Sequence, residues 1–219
     1  MKRKPFIGFY GYWVVLTYLA LIAAVTGICF AVSSNIGSAV ICMVIAGICD
    51  TFDGTVARTA KRTDIEKAFG IQIDSLADVI SFGILPATIG YAIYDKWGVH
   101  TPLHTAITVG VLGCYVLAGL IRLAYFNVTE EEMQARGEKR TYYEGLPITM
   151  SSLFLSVSYA IFGGMERFIS PIYTALLALI GAAFVLRIRL PKLKLRSAVI
   201  MGFVGLGIII AALVLRGVI

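Results

Sequence analysis

Four of the six aspartates in this 219-residue chain, Asp50, Asp53, Asp74 and Asp78, sit at the ends of otherwise apolar runs. A carboxylate at the centre of a membrane helix costs on the order of 2.5–3.5 kcal/mol, and less near the interface. Four of them so close in sequence need a compensating partner. Asp50 and Asp53 are three residues apart and Asp74 and Asp78 four, so on helices each pair shares a face. Converging carboxylates repel one another. A hard divalent cation with oxygen ligands, magnesium or manganese, removes that penalty. Around them stand Gly54, Ala57, Arg58 and Gly70. Small residues let backbone approach a ligand closely, and Arg58 offers a planar fork for phosphate oxygens. Gly70 is expected to open the next helix, whose N-terminus favours an anion. The set predicts a metal-bridged pyrophosphate pocket. Two other readings fit single features: an intramembrane Asp paired with Arg58 or Lys61, and a cation or proton pathway through the bilayer. The acids cluster at one end of their helices, and apart from Arg122 the remaining path holds no charged step, which argues against transport.

The elements that position these residues follow from composition. The chain is 58% hydrophobic and 15% charged, with a mean hydropathy of +0.85, and a soluble domain usually carries about 25% charged residues. Apolar runs long enough to cross a bilayer predict spans at about 13–32, 36–56, 70–94, 103–126, 146–164, 170–187 and 197–216. The chain is therefore expected to be an all-α polytopic membrane protein forming a single domain over 1–219, its chemistry on a helix hairpin at about 36–94. Lys2, Arg3, Lys4, Arg58, Lys61, Arg62, Lys67, Arg136, Lys139, Arg140, Arg187, Arg189, Lys192, Lys194 and Arg196 fall on one side if the spans alternate. The opposite loops hold only Lys96 and Arg167. By the positive-inside rule the first side faces the cytoplasm, which puts the aspartates at the cytoplasmic face of the cell membrane. The net charge of +6 is then topological, with anionic lipid headgroups as neighbours and no nucleic-acid partner. Tyr10, Tyr12 and Trp13, with Tyr94 and Trp97, read as interfacial anchors. Cys29, Cys42, Cys49 and Cys114 lie in apolar segments without metal-site spacing and read as packing residues.

The run Asp50-Thr-Phe-Asp53-Gly54-Thr-Val-Ala57-Arg58, followed by Gly70-Ile-Gln-Ile-Asp74-Ser-Leu-Ala-Asp78, resembles the signature of the CDP-alcohol phosphotransferases, DxxDGxxAR and GxxxDxxxD. One departure is the spacer: eleven residues (59–69) separate Arg58 from Gly70 where the family typically has eight. The resemblance implies a six-helix bundle, here with one further C-terminal span. It implies that Asp50, Asp53, Asp74 and Asp78 hold divalent metal, two magnesium or manganese ions, on a CDP pyrophosphate. Gly54, Ala57, Arg58 and Gly70, beside Asp50 and Asp53, would line the CDP site, and Asp78 would act as the base toward the acceptor hydroxyl. It also suggests a homodimer. Ser75-Leu-Ala-Asp78-Val-Ile-Ser81-Phe82-Gly83-Ile-Leu-Pro86-Ala87, Arg122-Leu-Ala-Tyr-Phe-Asn127 and Gly145-Leu-Pro147 look like the phosphatidylserine synthase branch, which takes CDP-diacylglycerol and L-serine. Ser81, Arg122 and Asn127 become candidates for the acceptor pocket. The alternatives left open are another acceptor, glycerol 3-phosphate or an inositol phosphate, and the transporter. A phosphorylated acceptor calls for more convergent basic residues, and Arg122 is the only one well inside a span.

Overall fold

The computed structural model describes residues 6–137 and 142–191. The expected span at 197–216 lies outside the described residues, as do Lys2, Arg3, Lys4, Lys139, Arg140, Lys192, Lys194 and Arg196. A 3-10 turn at Tyr12–Val14 leads into α1 (Val15–Val32), and α2 (Ile36–Thr59) returns antiparallel to it. Next, α3 (Asp64–Asp78) runs through a π-helical turn, Val79–Ile84, into α4 (Leu85–Trp97) as one rod. The remaining helices are α5 (Pro102–Ala135), α6 (Met150–Phe162) and α7 (Glu166–Val185). Two three-residue strands, β1 (Tyr142–Glu144) and β2 (Arg189–Pro191), pair antiparallel with Tyr143 opposite Leu190. Among the described residues five helical stretches are long and apolar enough to cross a membrane: Tyr12–Val32, Ile36–Thr59, Asp64–Trp97, Pro102–Met133 and Glu166–Val185. The fold is the helical polytopic one that the composition predicts.

Several boundaries differ from expectation, each for a local reason. The third helix begins at Asp64, so Gly70 lies inside it and does not open it. Thr63 and Glu66 form a capping box: the Glu66 N–H donates to Thr63 Oγ1 at 3.3 Å and the Thr63 N–H to Glu66 Oε2 at 2.9 Å. Two of the otherwise orphaned donors are thereby satisfied, and much of the long spacer becomes helix. The fourth span continues well past 126 because Glu130, Glu131, Glu132, Met133 and Ala135 favour helix. The fifth, expected over 146–164, is helical only across 13 residues; that is about 20 Å of rise, short of the ~30 Å hydrocarbon core. The chain before it folds onto the end of α7. There the Gly145 N–H donates to the Ile188 carbonyl at 2.9 Å, and the Leu146 N–H to that of Ala183 at 3.1 Å. Gly145 has φ +74°, and a Cβ there would meet the Phe184 carbonyl oxygen at 2.7 Å, so both the conformation and the space demand glycine.

Close packing of small residues sets the geometry of the hairpin. Ala20, Ala24 and Ala31 of α1 are buried, as are Ala39, Val40, Met43 and Ala46 of α2. A Cβ on Gly27 would lie 2.8 Å from that of Cys42, the approach expected where small residues form a membrane helix crossing. The Asp64–Trp97 rod is the most enclosed of the five spans, 61% of its apolar window being buried against 33–39% for the others. It is therefore the element around which the bundle is arranged. Asn35 caps α2 by accepting from the Ser38 N–H at 3.3 Å, fixing where that helix starts and so its phase at Asp50 and Asp53.

Candidate active site

The last three turns of α2 and the C-terminal end of α3 bring the four aspartates together. Asp50, Asp74 and Asp78 each offer a carboxylate oxygen, all within 4.8 Å of one another. Across the two helices the Asp50 side chain faces Asp78, and Asp53 faces Asp74. The i,i+3 spacing on one helix thus meets the i,i+4 spacing on the other, as two antiparallel helices require. Asp53 is buried at 8% exposure and accepts a 3.1 Å hydrogen bond from the Thr17 hydroxyl on α1. A cluster of three carboxylate oxygens at this spacing, with a fourth carboxylate beside it, has the hard-oxygen chemistry that a magnesium- or manganese-sized ion takes. The donor set fits such an ion.

A cavity of about 230 Å³ opens beside the cluster. Asp53, Gly54, Ala57, Arg58, Gly70 and Asp74 all line it, so the residues singled out for a nucleotide pyrophosphate do converge. Asp50 and Asp78 lie one helical turn further into the bundle on their respective helices. Gly54 is open: the nearest group to a Cβ there is Arg58 Nη1 at 3.8 Å. Gly70 is not open in that sense. Its missing Cβ makes room for Arg62 Nη1 at 3.1 Å and Trp13 Cζ3 at 3.3 Å, two side chains of the pocket wall. Arg58 Nη2 donates to Thr55 Oγ1 at 3.0 Å, which holds the guanidinium along its own helix.

Five lining residues escaped the sequence: the apolar Val14 and Ile71, and, with polar or aromatic groups to offer, Trp13, Thr17 and Arg62. Thr17 carries no signal in an apolar helix, where a threonine hydroxyl ordinarily satisfies itself on the preceding turn, as Thr26 does on the Ile22 carbonyl at 2.8 Å. Trp13 reads as an interfacial anchor, and Arg62 as one more basic loop residue. Only the closing of α1 over the hairpin brings both to the site.

The acceptor candidates lie elsewhere, and none of them lines this cavity. Ser81 is buried in the π-helical turn, and its Oγ has no hydrogen-bond partner among the described residues. That turn presents the Phe82 carbonyl, which accepts from the Tyr115 hydroxyl at 2.6 Å and from Ser151 Oγ at 3.4 Å. Such π-turns often accompany functional sites, and this one follows Asp78 directly. Arg122 is buried at 9% exposure and stacks 5.9 Å from the Phe126 ring centroid. It borders a second cavity of about 200 Å³ between α5 and the end of α7, with Tyr125, Phe184 and Arg187. Asn127 Nδ2 donates to Ser75 Oγ at 2.7 Å, tying α5 to the residue next to Asp74.

Residues 14–209 match the model of a family described as CDP-alcohol phosphatidyltransferase. The chain is 38% identical over 126 residues to a CDP-diacylglycerol–serine O-phosphatidyltransferase of Saccharomyces cerevisiae, covering 56% of this chain and 42% of that protein. It is 33% identical over 159 residues to an archaetidylserine synthase of Methanothermobacter thermautotrophicus, covering 73% and 62%. A CDP-diacylglycerol–serine O-phosphatidyltransferase of Helicobacter pylori is 29% identical over 145 residues, covering 65% and 56%. The matched stretch spans between two fifths and two thirds of the length of these relatives.

Proposed function

Since the chain belongs to the CDP-alcohol phosphatidyltransferase family, we propose that it transfers a phosphatidyl group from CDP-diacylglycerol to L-serine, giving phosphatidylserine and CMP. The observation that carries this reading is the meeting of four carboxylates from α2 and α3 beside a cavity lined by Gly54, Ala57, Arg58 and Gly70. The names of the relatives favour serine over glycerol 3-phosphate or an inositol phosphate as acceptor.

Asp50, Asp53, Asp74 and Asp78 would hold divalent metal, two magnesium or manganese ions, which when bound would supply positive charge to the pyrophosphate and to the departing CMP. Arg58 contacts the phosphate oxygens, and the open face of Gly54 lets the nucleotide approach the α2 backbone. Thr17 holds one oxygen of Asp53, so the other keeps a fixed direction.

Serine enters from the side of the π-helical turn. Its carboxylate pairs with Arg122, while Asn127 holds Ser75 and with it the helix face carrying Asp74 and Asp78. Ser81 offers its hydroxyl to the same acceptor. Asp78 takes the proton from the serine hydroxyl as that oxygen attacks the phosphatidyl phosphorus. The new bond joins serine oxygen to phosphorus; the bond broken joins phosphorus to the CMP oxygen, which leaves with the electron pair. The lipid tails lie between helices in the bilayer, and the nucleotide sits at the cytoplasmic face.

The acceptor is tested by measuring CMP release from purified protein in detergent with L-serine, glycerol 3-phosphate or inositol phosphate, using both the diacyl and the archaeal ether-lipid donor. Release with serine alone is expected. Release with a phosphorylated acceptor and not with serine would discard the serine assignment.

A further inference from the structure

Arg62 belongs to the spacer that is three residues longer than the family typically has, and it is placed against the nucleotide cavity by contacts of its own. Its guanidinium carbon lies 5.2 Å from the centre of the Trp13 ring, a cation–π contact. Trp13 is itself held: only 6% of it is exposed, and its ring meets Phe69 edge-on with centroids 6.5 Å apart. Phe69 in turn packs edge-on against Phe9 at 5.3 Å. On the other side the absent Cβ of Gly70 leaves the 3.1 Å clearance that Arg62 Nη1 occupies. Trp13 and Gly70 therefore flank the planar group at the cavity wall, while among the described residues no carboxylate forms an ion pair with it. A confined guanidinium with donors to spare, across a cavity from Asp53 and Asp74, suits an anion that has brought its own countercharge to the acidic side.

We propose that Arg62, shelved on Trp13, is a second phosphate-binding cation for the diphosphate of the nucleotide donor, acting beside Arg58. The proposal rests on the reading of this cavity as the CDP site. The cation–π contact limits the rotamer entropy that binding an anion with a free arginine would cost, and an arginine suits this place better than a lysine because it packs on an aromatic face while offering a fork of donors. Arg58, bonded to Thr55, then grips from α2 while Arg62 grips from the connection just before α3.

The test is calorimetric titration of the purified full chain in detergent with CDP and magnesium, using wild type, Arg62→Ala, Arg62→Gln, Arg62→Lys and Trp13→Leu. Arg62→Gln keeps a planar polar end on a shorter stem and removes the charge. Arg62→Ala and Arg62→Gln are each expected to weaken CDP binding about tenfold, the scale of one charge-assisted hydrogen bond. Arg62→Lys should recover part of the loss, and Trp13→Leu should weaken binding by a smaller factor with the charge still present. The KM for the acceptor should stay within about twofold in all four. Arg62→Gln binding CDP as wild type does would overturn the role of Arg62 and leave the cavity assignment standing. Failure of the wild type to bind CDP would overturn the cavity assignment, and this proposal with it.

Discussion

Thr17 on the first helix donates its hydroxyl to Asp53 on the second across 3.1 Å. Asp53 is buried, at 8% exposure, so this bond replaces hydration that burial has removed. Replacing the hydroxyl by a methyl in Thr17→Val leaves the carboxylate short of a donor, which costs about 1–3 kcal/mol. The expected result is a roughly tenfold rise in the magnesium concentration giving half-maximal CMP release, with helical content unchanged. A magnesium titration of the variant checks it.

The carboxylate cluster makes a prediction about metal removal. Asp50, Asp74 and Asp78 crowd their oxygens within 4.8 Å, which raises the energy of the metal-free fold through like-charge repulsion. An ion that binds only the folded state stabilises it by mass action. Magnesium at about 100 times its dissociation constant is expected to add about 2.7 kcal/mol and to raise the melting temperature. Asp50→Asn and Asp74→Asn should melt higher than the chelated wild type and respond little to magnesium. Thermal scans with chelator and with magnesium decide it.

How far the sequence could lead is plain at Gly70. Its spacing from Asp74 and Asp78 places it at the site, and there it is. The expected reason, a helix N-terminus, is wrong because Thr63 and Glu66 start the helix two turns earlier. The spacing of the aspartates was legible because helix geometry converts three and four residues directly into a shared face. The contributions of Trp13, Thr17 and Arg62 were not, because they depend on how α1 lies over the hairpin, and small-residue packing at Gly27 and Cys42 sets that. The short α6 was likewise hidden: hydropathy continues through Gly145-Leu-Pro147, but Gly145 turns there with positive φ.

Gly145→Ala should act on stability and spare the chemistry. The residue has φ +74° and its Cβ would lie 2.7 Å from the Phe184 carbonyl oxygen. A left-handed conformation alone costs an L-residue about 1–2 kcal/mol, and the backbone clash adds to it. The expected outcome is a melting temperature lower by several degrees with KM for the CDP-lipid unchanged in the surviving folded protein. Parallel thermal and kinetic measurements separate the two effects.

Arg122→Ala tests the acceptor side. Buried at 9% exposure beside a cavity of about 200 Å³, Arg122 is proposed above to pair with the serine carboxylate and not with the nucleotide. The KM for serine is expected to rise about tenfold or more, as for loss of a charge-assisted pair, while KM for the CDP-lipid stays the same. Unchanged kinetics would remove Arg122 from the acceptor pocket.

The most direct test of the account is CMP release by Asp78→Asn beside the wild type, with CDP-diacylglycerol, magnesium and L-serine, and with CDP binding measured on the same preparations. The wild type is expected to release CMP only when serine and metal are both present. Asp78→Asn should still bind CDP while its kcat falls by about 10²–10⁴, the usual contribution of a general base. A variant that turns over within tenfold of wild type, or a wild type that releases CMP at the same rate without serine, would contradict it.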